Sequence, residues 1–173
     1  MESNSILLIQ ETKNTVEDSL SSIKKFWPKG EGKVVSAIGA LGGILTWWDK
    51  DKFTMHTTIE NKNCLFVEVE DKENKETLWV GNIYGPIIQA QKESFWNSLE
   101  DQCIGKKQFP YIITGDFNVT ISPEECRGGT KIRDPFGERL EDLISFWGLT
   151  DIKPKNGNFT WNNKKNGIET HCS

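Results

Sequence analysis

The stretch "PYIITGDFNVT", Pro110 to Thr120, decides how the chain reads. Tyr111, Ile112, Ile113 and Thr114 form an apolar, β-branched run of the kind that fits a pleated surface. The run meets Gly115 and then delivers Asp116, Phe117 and Asn118. Strand side chains alternate with a period of two, so Asp116 and Asn118 share a face and Phe117 points to the other, toward packing. A strand followed by a plain turn fits the same residues, because Gly, Asp and Asn all favour turns. The neighbouring segments separate the two readings.

Upstream, "SILLIQETK" carries four apolar residues, Ile6 to Ile9, and ends in Gln10 and Glu11. It reads as a central strand buried on both faces. "VEDSLSSIKKFW" follows with apolar residues at helical spacing, closed by Pro28. A glycine-punctuated segment then leads to a strand from Ile44 to Trp48. "KFTMHTTIE" and "CLFVEVED" read as a hairpin around "NKN", and "TLWVGNIYGP" as a strand stopped by Gly85 and Pro86. "QKESFWNSLEDQC" reads as a helix with Phe95, Trp96, Leu99 and Cys103 inward. A later helix is predicted with Asp134 as N-cap, Pro135 at its first position and Gly148 as its stop. "GNFTWNN" reads as a last short strand. This order predicts an α/β (α+β) layered domain in which mixed sheets are covered by helices.

Bulk properties exclude several classes. The 173 residues suit one domain, with 36% hydrophobic and 27% charged residues, as in ordinary globular chains. A net charge of −4 argues against gripping nucleic acid by bulk positive charge, though not against a nuclease with a local site. No pair among Cys64, Cys103, Cys126 and Cys172 has the Cys-x-x-Cys spacing of a zinc site. No stretch is long and apolar enough to span a membrane, and no leader is legible. The expectation is a chain of the nucleus or cytoplasm with reduced thiols.

Four strand ends deliver polar groups directly after apolar residues: Glu11; Asn82 and Tyr84; Asp116 and Asn118; and Thr160. Each has an ordinary structural explanation. Glu11 fits a helix-start carboxylate, Tyr84 a sheet-edge aromatic, and Thr160 plain β structure. If the ends converge, the set is chemically coherent. Carboxylate and carboxamide oxygens are hard donors suited to Mg²⁺. A carboxylate such as Asp116 can orient and activate water. A tyrosine hydroxyl and an asparagine amide can donate to phosphate oxygens.

"LLIQETK", "GALGGILTWWD", "NIYGP", "GDFNV" and "GNFTWNN" stand here in the order and spacing of one family. They resemble the endonuclease/exonuclease/phosphatase superfamily. More narrowly, they are similar to the apurinic endonuclease-like domain of plant non-LTR retrotransposon polyproteins. The resemblance runs from about Ile6 to Asn163. It implies a four-layer sandwich of two packed mixed β-sheets flanked by helices, and a Mg²⁺-dependent enzyme that nicks DNA. By motif position it implies Glu11 as the metal ligand and Tyr84, Asp116 and Asn118 as catalytic groups. Thr160 and Asn82 are then the substrate-contacting positions.

The family pattern also has a Trp-Asn strand before this start and a Ser-Asp-His motif beyond this end. Neither is present, and His171 and His56 stand in other contexts. The resulting expectation is a single incomplete domain over residues 1–173, weakly active or inactive. The alternatives are a non-catalytic fragment that binds nucleic acid or protein weakly, and another phosphoesterase of the same superfamily.

Overall fold

In the computed structural model, the described residues are 6–39, 41–103, 110–121, 126–127, 134–152 and 171–172. They fall into two compact units, Met1–Phe117 and Asn118–Ser173.

The first unit is a four-layer α+β sandwich. One sheet holds β1 (Ile6–Gln10), β2 (Gly30–Val35) and β3 (Ile44–Asp49) in the order β1-β3-β2. Both of its pairings are antiparallel. The other holds β4 (Phe53–Asn61), β5 (Cys64–Asp71), β6 (Thr77–Tyr84) and β7 (Tyr111–Asp116), in that order. It is mixed, because β6 and β7 run parallel while the two hairpin pairings are antiparallel. Between β6 and β7 the chain crosses over through helix α2 (Gln89–Cys103), as a parallel connection requires.

The core between the sheets is built by alternation. Ile44 and Trp48 on β3 meet Leu65, Val67 and Val69 on β5 and Val80 on β6, with Ile6 and Leu8 packed alongside. The buried Trp48 indole N–H finds no acceptor. Burying an indole ring gains about 4–6 kcal/mol, whereas an unpaired N–H costs about 1–3, so burial wins.

The opposite face of the first sheet carries Leu7, Val34, Leu45 and Trp47, packed against Leu20 and Ile23 of helix α1 (Val16–Phe26). Thr15 caps that helix by accepting from the Asp18 amide. β2 was not legible in the sequence, because "GEGKVV" shows no β pattern. Its glycines are explained by Trp47: a Cβ on Gly30 would lie 1.8 Å from the indole Nε1, and one on Gly32 2.5 Å from its Cε3. The ring lies flat across a strand that has no side chains there.

The outer face of the second sheet is covered by α2, whose Phe95, Trp96 and Leu99 are buried as the sequence predicts. Asn61 and Cys64 bond to Ser98 and Gln102 of that helix.

The expectation that β1 is buried on both faces needs correction. Among the described residues its one sheet neighbour is β3, and Ile9 remains 37% exposed. His56 falls at the β-bulge between Met55 and Thr57 and lies 3.4 Å from Glu70. No helix among the described residues is long and apolar enough to cross a membrane.

The second unit contains helix α3 (Gly137–Trp147) and a two-residue pairing of β8 (Cys126–Arg127) with β9 (His171–Cys172). Gly148 ends α3 in the left-handed conformation, as expected. The N-terminus differs from expectation. Asp134 accepts from the Phe136 amide, so it closes a turn before the helix, with Pro135 inside that turn. Thr160 and the "GNFTWNN" segment lie outside the described residues.

Candidate active site

β1, β6 and β7 end on the same side of the first unit, and their last side chains meet there. β6 and β7 are in parallel register, with Tyr84 opposite Asp116 and Asn82 opposite Thr114. Tyr84 and Asp116 therefore stand side by side on the face that looks toward β1.

Gly115 permits this close approach. Its φ is +139°, and a Cβ on it would lie 1.9 Å from the Ile83 carbonyl oxygen. Any other residue would push β7 away from β6. The next contact continues the zipper, with the Gly85 amide donating to the Asp116 carbonyl at 2.7 Å. Phe117 turns to the opposite face and stacks on Trp96, with ring centroids 6.0 Å apart. The strand period ends there, because Asn118 has φ +52°. The alternation that would put Asn118 beside Asp116 does not continue through a left-handed residue, a conformation asparagine tolerates. Asn118 is also the first residue of the second unit.

Tyr84 is the centre of the site. Its hydroxyl donates to Glu11 Oε1 at 2.5 Å, within the range of a charge-assisted O–H···O⁻ bond. Partial burial, then the hydrogen bond and negative charge of Glu11, then the charge of Asp116, push its pKa well above the usual tyrosine value. The phenol stays protonated at neutral pH and acts as a donor. Asn63 fixes the backbone beneath it, donating from its side chain to the Tyr84 carbonyl at 2.7 Å and accepting from the Tyr84 amide at 2.8 Å.

Glu11 comes from a strained turn. Both it and Lys13 are left-handed, with φ of +52° and +54°. Such conformations cost about 1–3 kcal/mol each in non-glycine residues and persist where the surroundings impose them. Here Thr12 and Lys13 donate their amides to the carbonyls of Gly43 and Gly42, at 3.1 and 3.0 Å. A Cβ on Gly43 would lie 2.2 Å from Thr12 Oγ1, so the paired glycines of "GALGGIL" let the two loops lie together. Lys13 Nζ is 3.9 Å from Glu11 Oε2. Nothing in the pattern around "QETK" singles out Lys13.

Asn82 has a different position. It is fully buried beneath Tyr84, and its Nδ2 donates to the Leu45 carbonyl at 2.9 Å and to Thr46 Oγ1 at 3.3 Å. Its Oδ1 accepts from Gln10. The side chain ties the two sheets together below the site and does not present an amide at its mouth. Gln10, which sequence reasoning passed over, is its partner. A polar residue closing an apolar strand one position before Glu11 was the available signal.

No family model matches the chain, and no curated protein matches it. Solved structures do. It superposes on the Xenopus laevis APE2 catalytic domain with TM-score 0.59 and 18% identity, covering 81% of this chain and 59% of that one. An endonuclease/exonuclease/phosphatase from Bacteroides vulgatus gives TM-score 0.54 and 16% identity, covering 82% and 57%. A mannosyl-6-phosphatase from Bacteroides thetaiotaomicron gives 0.51 and 18%, covering 66% and 51%. The chain has the endonuclease/exonuclease/phosphatase fold. It spans about half the length of the solved structures it matches. Identities this low establish the fold alone.

Within this fold, the described residues bring together three of the expected groups, Glu11, Tyr84 and Asp116. Among the described residues no group of three metal-ligating His, Cys, Asp or Glu side chains occurs. The donors present are oxygens of two exposed carboxylates. Such a set suits a hard cation that keeps several waters, as Mg²⁺ does.

Proposed function

We propose that the site is a Mg²⁺-dependent phosphodiesterase centre, and that the chain is an endonuclease domain of the non-LTR retrotransposon type acting on DNA. The observation that carries this reading is the Tyr84–Glu11 hydrogen bond with Asp116 in register beside it. The narrower retrotransposon assignment rests on "GGILTWWD" and "GNFTW" in the sequence.

In this reading, Glu11 would hold the cation. A bound Mg²⁺ supplies charge stabilisation at the phosphate and at the leaving oxygen. Tyr84 orients the Glu11 carboxylate and offers a protonated hydroxyl near the phosphate, where negative charge develops. Asp116 accepts a hydrogen bond from the attacking water, aligns it with phosphorus and takes its proton. Lys13, next to Glu11, limits the repulsion between two carboxylates and a phosphodiester. Gln10 and Asn82 hold the floor rigid, so this geometry is set before substrate arrives.

Nicking of supercoiled plasmid by the purified chain tests the proposal. The expected result is slow relaxation with Mg²⁺, as suits a weakly active copy, none with EDTA, and a further loss of about 10²–10⁴-fold for Asp116→Ala. A chain that is folded by circular dichroism yet leaves the plasmid intact at millimolar Mg²⁺ overturns the catalytic reading. The non-catalytic fragment is then the description that stands.

A further inference from the structure

The hairpin of β4 and β5 supports Tyr84 through a side chain where a strand pair would ordinarily use its backbone. Cys64 pairs with Ile83, so the next residues outward, Asn63 and Tyr84, stand opposite each other. In an antiparallel ladder such a pair exchanges two backbone hydrogen bonds. One of the two is in place, with the Tyr84 amide donating to the Asn63 carbonyl at 2.8 Å. The Asn63 amide, which would make the other, donates instead to Asn61 Oδ1 at 2.8 Å, beside the Cys64 amide at 3.0 Å. The Asn63 side chain takes its place, with Nδ2 donating to the Tyr84 carbonyl at 2.7 Å. This bond at the site end of β6 therefore depends on which residue stands at position 63. The turn that presents it is itself tied to α2. Asn61 Nδ2 and Gln102 Nε2 both donate to Ser98 Oγ at 3.2 Å, and Cys64 Sγ donates to Gln102 Oε1 at 2.9 Å.

We propose that Asn63 is a positioning residue for the site: its side-chain amide sets the backbone at Tyr84 so that the phenol hydroxyl reaches Glu11. This rests on the phosphodiesterase reading and adds to it a residue that acts through Tyr84 without touching substrate. The hydroxyl stands at the far end of a rigid ring, so a small rotation at the backbone becomes a larger displacement there. The bond to Glu11 tolerates little of it, since hydrogen bonds weaken steeply as they lengthen and bend. On the other side of Tyr84, the Gly85 amide donates to the Asp116 carbonyl at 2.7 Å. The end of β6 is thus bracketed, by β7 on one side and by the Asn63 side chain and carbonyl on the other. Removing the side chain leaves one bond where the hairpin now makes two.

Fluorine NMR of the chain labelled with 3-fluorotyrosine, at neutral pH and without metal, tests this. The chain has two tyrosines, Tyr84 and Tyr111, and Tyr84→Phe assigns their signals. Asn63→Ala should shift the Tyr84 signal toward that of free fluorotyrosine and leave Tyr111, at the other end of β7, in place. Asn63→Asp keeps the shape and the turn preference but, as a carboxylate, cannot donate. It should shift the Tyr84 signal as well. Asn74→Ala removes an asparagine from the turn at the opposite end of β6 and should leave the Tyr84 signal where it is. An unmoved Tyr84 signal in the Asn63 variants overturns the proposal. A shift of both signals, or loss of the fold in both variants by circular dichroism, also overturns it, because Asn63 then serves the hairpin as a whole. In plasmid nicking, Asn63→Ala should lower kcat about ten-fold with KM held within about two-fold, the pattern of a misplaced catalytic group. Added to Tyr84→Phe it should cost nothing further, and additive losses overturn the proposal. The NMR signal needs no catalysis. A chain that leaves plasmid intact therefore defeats the phosphodiesterase reading, while the signal still decides whether Asn63 places Tyr84.

Discussion

The two ends of the space between the sheets are built from the same strands by different chemistry. At one end β6 contributes Leu78 and Val80, which join Trp48, Val67 and Val69 in a dry core. Two and four residues further along the same face of the same strand stand Asn82 and Tyr84. There partly buried Gln10 joins buried Thr46 and Asn82 in a polar network, with Glu11, Tyr84 and Asp116 above it. Backbone geometry is continuous across the change, so the alternation that makes a core also aims a site. The difference teaches that the polar end is made by substituting polar groups at core-facing positions near the strand ends. Each of those groups must then find its partner locally.

The largest expected effect breaks the geometry common to both ends. Gly115→Ala places a methyl against the Ile83 carbonyl at a φ that L-residues rarely adopt. Relief requires β7 to separate from β6, with a cost of about 3 kcal/mol or more. Urea unfolding should show this loss, and nicking should fall with it because Asp116 moves. A change below about 1 kcal/mol would mean that β7 is not held to β6 as described.

Asn82→Leu extends the dry chemistry into the wet end. If the sandwich were held by apolar burial alone, it would stabilise the fold. The network predicts the opposite, because Gln10 and Thr46 lose a buried partner, at a cost of about 2–4 kcal/mol. Val80→Ala is the matched change at the dry end. It removes two methyl groups and leaves a small cavity, costing about 2 kcal/mol. Nicking relative to the folded fraction should fall for Asn82→Leu and hold for Val80→Ala. Equal behaviour of the two variants would erase the distinction between the ends.

The sequence made the dry end more legible than the wet one. Alternation in "CLFVEVED" and "TLWVGNIY" announced β5 and β6, and the helical stripe of Phe95, Trp96 and Leu99 announced α2. β2 was invisible because its two glycines are chosen by Trp47, which is distant in sequence. Asp134 was misread because a capping side chain serves a turn as well as a helix. At the site, Glu11, Tyr84 and Asp116 were found by their place at strand ends. Whether they converge was beyond periodicity, since register between strands decides it. Asn82 looked like its neighbours in the motif, yet one alternation step down the strand places it under the site. Gln10 was missed because its partner Asn82 lies far along the chain, and Lys13 because its place beside Glu11 depends on a turn held by Gly42 and Gly43.

The smallest effect tests the electrostatics of the wet end alone. The chain has two tyrosines, Tyr84 and Tyr111, and phenolate absorbance near 295 nm reports their ionisation. The Tyr84 pKa is raised first by burial and then by Glu11 and Asp116. Its hydroxyl should therefore remain protonated at about pH 11, above the ordinary value of about 10. Tyr84→Phe should leave the absorbance at that pH unchanged. Glu11→Gln removes the nearest negative charge but not the burial, so Tyr84 should ionise at lower pH and the absorbance should rise. The sign for stability follows: the favourable contribution of the protonated phenol is complete below about pH 10 and is lost as pH climbs toward the raised folded value. Tyr84→Phe should thus flatten the alkaline fall in stability. A drop in the absorbance at pH 11 on Tyr84→Phe would show that the phenol is already ionised there, and that the bond to Glu11 is not the one that organises the site.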